Sequence, residues 1–248
     1  MLKDRVALIS GASRGLGWEV ARLLAQRGVR LILTARGAEA LAHAADALPV
    51  RDGAVALPGD VADRRHVERL VALGLQRFGR IDILVNNASI LGPTPMPPLE
   101  ALPIEAFDEV LRVNAAAPLH LMQLVLPQMK ARGEGIIVNL TSDAAVQAYA
   151  GWGGYGAGKA ALEHLSRIAA RELAGTGVRI YVVDPGDMNT QMHRDASPGV
   201  DLSGLPGPGE PAARLVDLIE RETGPFGRFE LQTWALGPAR VMTTAGGA

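Results

Sequence analysis

The sequence predicts an α/β protein: a doubly wound parallel sheet of about seven strands with helices on both faces. Three observations predict it. Short β-branched runs alternate with longer helical stretches along the chain. The strand-like runs read as buried, as strands covered on both faces must be. A glycine-rich turn links the first such run to the first helix.

Taken in order, residues 5–10 read as a buried strand, followed by the turn and a helix over 15–27. A second strand is expected at 30–35, an Ala-rich helix at 38–48, a third strand at 54–57 and a helix at 63–78. The fourth strand falls at 82–86. Residues 90–103 are proline-rich and read as a loop, and a long helix follows over 104–131. The fifth strand is placed at 135–140, the next helix at 154–174 and the sixth strand at 178–183. The Gly- and Pro-rich stretch 197–211 reads as loop, 214–221 as a short helix and 228–232 as the last strand. No composition break divides the pattern, so 1–234 is expected to be one domain, with a substrate loop near 187–212 and a tail at 235–248.

The chain has 248 residues, enough for one sizeable α/β core, and its 48 % hydrophobic and 21 % charged content is that of a globular protein. A net charge of -1 argues against a nucleic-acid or membrane-surface binder, which carries a basic patch. No apolar run approaches the roughly 20 residues that cross a bilayer. Residues 1–10 lack the features of a secretory signal, so a cytoplasmic location is expected. With no cysteine, disulfides and thiolate chemistry are excluded. His43, His66, His120, His164 and His193 show no metal-ligand spacing, and no metal is expected. Arg64, Arg65 and His66 read together as a solvated helix face, and Asp201 and Glu210 as members of the flexible loop.

The turn runs Ser10-Gly11-Ala12-Ser13-Arg14-Gly15-Leu16-Gly17, where a strand becomes a helix. Glycines there permit a tight turn, and the helix-start N–H groups favour a pyrophosphate. No Gly-Lys-Ser/Thr follows, so it is not a nucleoside-triphosphate P-loop. The second strand ends Leu33-Thr34-Ala35-Arg36 without the acid that usually holds a ribose 2′-hydroxyl. Arg36, with Arg14 nearby, suits a 2′-phosphate instead, and NADP(H) is favoured over NAD(H). Tyr155 and Lys159 stand four apart on one face of a helix, where an ammonium can stabilise a phenolate.

These residues, in this order, resemble the short-chain dehydrogenase/reductase family along nearly the whole chain. The resemblance rests on Gly11, Gly15 and Gly17; Asp60; Asn86-Asn87-Ala88; Asn114; Ser142; Tyr155 with Lys159; and Pro185-Gly186 with Thr190. It implies a single-domain Rossmann fold and hydride transfer between NADP(H) and an alcohol or carbonyl. Tyr155 is then the general acid/base, and Lys159 lowers its pKa and binds the nicotinamide ribose. Ser142 bonds the substrate oxygen, and Asn114 holds a relay water. The resemblance assigns the cofactor to the turn (Ser13, Arg14 and Leu16 with the glycines), Arg36, Asp60 and Val61 at the adenine, and Asn87 and Ala88. Pro185, Gly186, Met188 and Thr190 fall to the nicotinamide half.

Three positions depart from the family's habit: Ser10 for Thr, Ser89 for Gly and Gly158 for Ser. Pro118, four residues after Asn114, deprives the Asn114 carbonyl of its helical donor and suggests a water site there. The substrate walls are expected from Leu91 and Pro93, from Val146, Tyr149 and Trp152, and from Met188, Met192 and His193, a mainly apolar set suited to a small, uncharged carbonyl or alcohol. Residues 199–209 are expected to close as a lid. Ala-rich faces near 115–129 and 160–174 suggest a homodimer or homotetramer. Two other readings stand beside this one: an NAD-linked alcohol dehydrogenase of the same family, and a nucleotide-binding regulator without catalysis.

Overall fold

The computed structural model describes residues 2–50 and 53–236. Its elements are β1 (Val6–Ser10), α1 (Gly15–Gln26), β2 (Arg30–Thr34), α2 (Ala38–Asp46), β3 (Ala54–Ala56), α3 (Arg64–Phe78) and β4 (Ile83–Asn86). They continue with α4 (Ile104–Leu111), α5 (Ala117–Arg132), β5 (Gly135–Leu140), α6 (Gly153–Glu172), β6 (Val178–Asp184), α7 (Gln191–Ala196), α8 (Gly209–Arg221) and β7 (Phe226–Glu230). The strands form one sheet in the order β3-β2-β1-β4-β5-β6-β7, and every pairing is parallel. The order reverses between β1 and β4, so a crevice opens there beyond the strands' carboxyl ends.

Both faces of the sheet are covered, which is why β1, β4 and β5 are buried at every position. Successive side chains still go to opposite layers. Ala7, Ile9, Leu31 and Leu33 pack with Val20 and Leu24 of α1 and Leu215 and Ile219 of α8. Val6, Leu8 and Ile32 pack with Val67 and Leu70 of α3 and Leu121 and Val125 of α5. The edge strands β3 and β7 are only partly buried. Among the described residues no helix is long and apolar enough to cross a membrane.

The structure differs from the sequence reading in four places. Residues 191–196 form a short helix where loop was expected, started by Thr190, whose hydroxyl accepts from the His193 N–H at 3.4 Å. Helix α8 begins at Gly209, five residues before the predicted start, and contains Pro211. Proline in a first turn costs no hydrogen bond, because that N–H has no helical partner. Glu210 is therefore helical and pairs with Arg214 at 2.7 Å rather than lying in a loop. His66 is not part of a solvated face: it is 2 % exposed, and its Nε2 lies 2.8 Å from the Thr34 hydroxyl. It fits because Gly59 has no Cβ, which would strike the imidazole ring.

The long helix at 104–131 exists but is not uniform. Residues Arg112–Ala116 form a π turn between α4 and α5, immediately before Pro118. Proline's missing N–H removes the donor that would continue the regular ladder, and the extra residue of a π turn absorbs the gap. Asn114 lies inside that turn. From residue 237 onward, the C-terminal tail lies outside the described residues.

Candidate active site

The crevice at the sheet's reversal point is a cavity of about 960 Å³. One end is built by the turn between β1 and α1. Gly11 and Gly15 have φ of 68° and 59°, a backbone region that favours glycine. A Cβ at Gly17 would collide with the Asn87 side-chain nitrogen and the Gly11 carbonyl oxygen, so this glycine serves close packing. Gly17 does not line the cavity, whereas Gly11, Ser13, Arg14, Gly15 and Leu16 do.

The turn is tied to the end of β4. The Ser10 hydroxyl accepts from the Asn87 and Ala88 N–H groups, each at 3.1 Å. The Asn87 side-chain amide donates to the carbonyls of Ser10 at 3.0 Å and Gly11 at 3.1 Å. Both Asn87 and Ala88 border the cavity, but the Asn87 amide protons are spent on the turn.

Arg14 and Arg36 are exposed on the cavity wall. Among the described residues neither side chain has a hydrogen bond or ion-pair partner, so both guanidiniums are available to an anion. Asp60 and Val61 stand nearby. The Asp60 carboxylate accepts from the Ala62 N–H at 2.8 Å. His66 packs beneath this loop, and burial, with Arg69 contributing, holds its pKa below the ordinary histidine value. The glycine cradle and the two guanidiniums fit a dinucleotide bearing an extra phosphate.

Toward the other end, Ser142, Tyr155 and Lys159 share the cavity. Ser142 follows β5, and Tyr155 and Lys159 come from the first turns of α6. Tyr155 is 8 % exposed and Lys159 3 %. The Lys159 Nζ lies 5.5 Å from the Tyr155 ring centroid and donates to the Leu140 carbonyl at 2.8 Å. Two of its three N–H groups are left for another acceptor. Burial lowers the Lys159 pKa to about 8, with the Asp184 carboxylate opposing. Burial raises that of the Tyr155 phenol, and Asp184 adds to it, while the Ser142 and Ser89 hydroxyls oppose. Within the protein alone, then, the phenol stays firmly protonated. The expected lowering by Lys159 is not found: burial sets the direction of the shift. Trp152 braces the phenol ring edge-on, at 5.7 Å between centroids.

Asn114 is fully buried and does not border the cavity. Its side-chain oxygen accepts from the Ile90 N–H at 2.9 Å and the Ser89 hydroxyl at 3.1 Å, and its amide donates to the Ile90 carbonyl at 2.8 Å. Ser89, one of the departures from the family habit, thus joins Asn114 to the phenol's surroundings. Gly158, another, lets α6 approach the π turn: a Cβ there would lie 3.2 Å from both Asn114 Cβ and Val110 Cγ1.

Of the expected substrate walls, Leu91, Trp152, Met188, Met192 and His193 border the cavity, as do Pro185, Gly186 and Thr190. Pro93, Val146 and Tyr149 do not; Val146 and Tyr149 are 59 % and 45 % exposed. In the 3-10 turn Asp143–Ala145 that follows Ser142, it is Asp143, and then Gln147, that face inward. Tyr149 instead donates to the Asp143 carboxylate at 2.7 Å, which also accepts from the Ser142 hydroxyl at 2.9 Å. Burial alone would raise the Asp143 pKa, but these two hydroxyls and the Ala144 N–H hold it below the ordinary value. With Asp143, Gln147, Asp184 and Asp187 on it, the wall is more polar than the sequence suggested. Asp184 and Asp143 left no sequence signal, because only the fold brings β5 and β6 ends to the same cleft.

Residues 5–201 match the short chain dehydrogenase family. The 2-(R)-hydroxypropyl-CoM dehydrogenase of Xanthobacter autotrophicus is 36 % identical over 191 residues, 76 % of each chain. A metagenomic short-chain oxidoreductase solved in complex with NADP superposes with a TM-score of 0.77 at 28 % identity, over 92 % of this chain and 96 % of that one. An NAD+-bound xylitol dehydrogenase superposes at 0.70 and 30 % identity, over 76 % and 72 %.

Proposed function

We propose that this chain, which belongs to the short-chain dehydrogenase/reductase family of oxidoreductases, is an NADP(H)-dependent enzyme acting on a small carbonyl or alcohol. The observation that carries the chemistry is the meeting of Ser142, Tyr155 and Lys159 in one cleft with the glycine turn. The observation that carries the cofactor preference is the pair of unpartnered guanidiniums, Arg14 and Arg36, beside a strand end without an acid. A 2′-phosphate would be held by them, the pyrophosphate by Gly11 to Leu16, the adenine by Asp60 and Val61, and the nicotinamide half by Pro185, Gly186, Met188 and Thr190.

When bound, the cofactor supplies or receives the hydride. Tyr155 holds the proton that reduction delivers to the substrate oxygen, and removes it in oxidation. Ser142 orients that oxygen and steadies its developing charge. Lys159, with two donors unspent, holds ribose hydroxyls and favours the phenolate once a ligand and proton transfer change its surroundings. Asn114 supports a water at its main-chain carbonyl within the π turn. Residues 187–212, helical at α7 and again from Gly209, form the substrate segment. Self-association through α5 and α6, where Ile168 is 44 % exposed, belongs to the same reading.

A fluorescence titration with NADPH and NADH, followed by a carbonyl panel read at the nicotinamide absorbance, tests it. Tighter binding of NADPH and turnover of at least one small ketone or aldehyde is the expected result. Equal affinities would remove the argument from Arg14 and Arg36, and binding without turnover would favour a regulator.

A further inference from the structure

Asp184 is a buried carboxylate that the proton-transfer scheme leaves idle. It ends β6, immediately before Pro185-Gly186, and is 7 % exposed while still bordering the cavity. Its Oδ1 accepts from the Gly186 N–H at 2.9 Å. Its Oδ2 accepts no hydrogen bond among the described residues; the nearest cation, Arg228 Nη2, lies at 3.7 Å. Among the described residues that nitrogen is itself buried without a hydrogen-bond partner.

Arg228 is shared. Its Nε donates to Glu163 at 3.0 Å and its Nη1 to Glu230 at 2.8 Å. Arg167 also reaches Glu163, at 3.0 Å. Three carboxylates thus face two guanidiniums, which leaves one negative charge in excess. Adding Lys159 from α6 and Asp143 after β5 leaves the same excess. The charge of Asp184 is felt at the reacting groups, since it raises the pKa values of both Tyr155 and Lys159. Burial, with Asp143 and Glu230 adding, raises its own pKa, while the Gly186 N–H and Arg228 act in the opposite direction and bind the charged form.

We propose that Asp184 is a specificity-determining residue for the redox state of the cofactor: its carboxylate, fixed at the nicotinamide end of the cleft, favours the oxidised, cationic ring over the reduced, neutral one. The inference rests on the cofactor reading above. A fixed, largely buried negative charge attracts a cationic ring and is indifferent to a neutral ring of the same shape. The protein therefore binds NADP+ more tightly, relative to NADPH, than it would with a neutral residue in this place. On the enzyme the equilibrium is correspondingly drawn toward the NADP+-bound state, the side that substrate reduction reaches.

The test is a pair of binding measurements, calorimetric for NADP+ and fluorimetric for NADPH, on the intact protein and on Asp184→Asn, Asp184→Ser and Asp184→Glu. Asn keeps an acceptor for the Gly186 N–H, Ser is smaller and neutral, and Glu keeps the charge. In the two neutral variants the ratio Kd(NADP+)/Kd(NADPH) should rise on the order of tenfold, the effect of one charge several ångströms away. Asp184→Glu should restore most of the original ratio. A ratio unchanged within about twofold in both neutral variants overturns the inference, as does an equal loss for both redox forms, which would mark Asp184 as merely structural. If the unaltered protein bound only NAD(H), the same ratio would be read on that pair; only the phosphate argument would then fail. If it bound neither pair, the cofactor reading would fall, and this inference with it.

Discussion

At the scale of single residues, the site is governed by burial. Tyr155 sits against Trp152 and beneath Ser142, and burial keeps its phenol protonated. Replacing Tyr155 by Phe removes only the hydroxyl. Turnover should fall by about 10²–10⁴-fold, the usual worth of a positioned acid/base, with NADPH affinity nearly unchanged. Steady-state kinetics beside a binding titration checks this, and near-normal turnover would assign the acid elsewhere. Lys159 makes a prediction about stability. Its folded pKa of about 8 lies below the ordinary 10.5, so between those values the unfolded chain binds the extra proton. Lys159 therefore contributes stability that increases as pH rises from about 8 toward 10.5. Urea unfolding between pH 8 and 9.5 should show the unaltered protein gaining on Lys159→Met by up to about 1.4 kcal/mol per pH unit. A parallel pair of curves would contradict it.

At the scale of elements, the turn between β1 and α1 depends on distance as much as on flexibility. Gly17 is where α1 touches Gly11 and Asn87. Gly17→Ala should destabilise by about 1–3 kcal/mol, since the obstructing atoms belong to the turn itself, and NADPH binding should be lost along with the turn's shape. Gly204→Ala, with nothing near its would-be Cβ, is the control and should lie within about 0.5 kcal/mol of the original. The helices show the same division between local and distant causes. Gly and Pro read as loop signals and place the start of α8 too late in the chain, although Pro211 in a first turn is harmless. The break in the long helix was foreshadowed by Pro118, but its form, a π turn centred on Asn114, was not. His66 was misjudged because its neighbours Arg64 and Arg65 are exposed; its own burial depends on Gly59, seven residues earlier.

At the scale of the whole molecule, the dinucleotide cleft joins elements from both halves of the sheet. A ligand that bridges them and binds only the folded chain must raise its stability. NADPH at about 100 times its Kd should add about 2.7 kcal/mol, seen as an upward shift in Tm. NADH at the same concentration should shift it less, and identical shifts would count against Arg36 and Arg14 as phosphate ligands. The succession of strands and helices and the positions of Gly11, Tyr155 and Lys159 were legible in the sequence, and Ser142 through the family resemblance. The first comes from hydrophobic runs and glycine punctuation, which are local properties; the second comes from spacing within one turn or one helix. Only the tertiary structure decided that Val146 and Tyr149 leave the cleft, that Asp143 and Asp184 enter it, and that Arg228 from the last strand reaches behind the latter. Burial and charge pairing depend on which strand ends converge, and no single stretch of sequence carries that information.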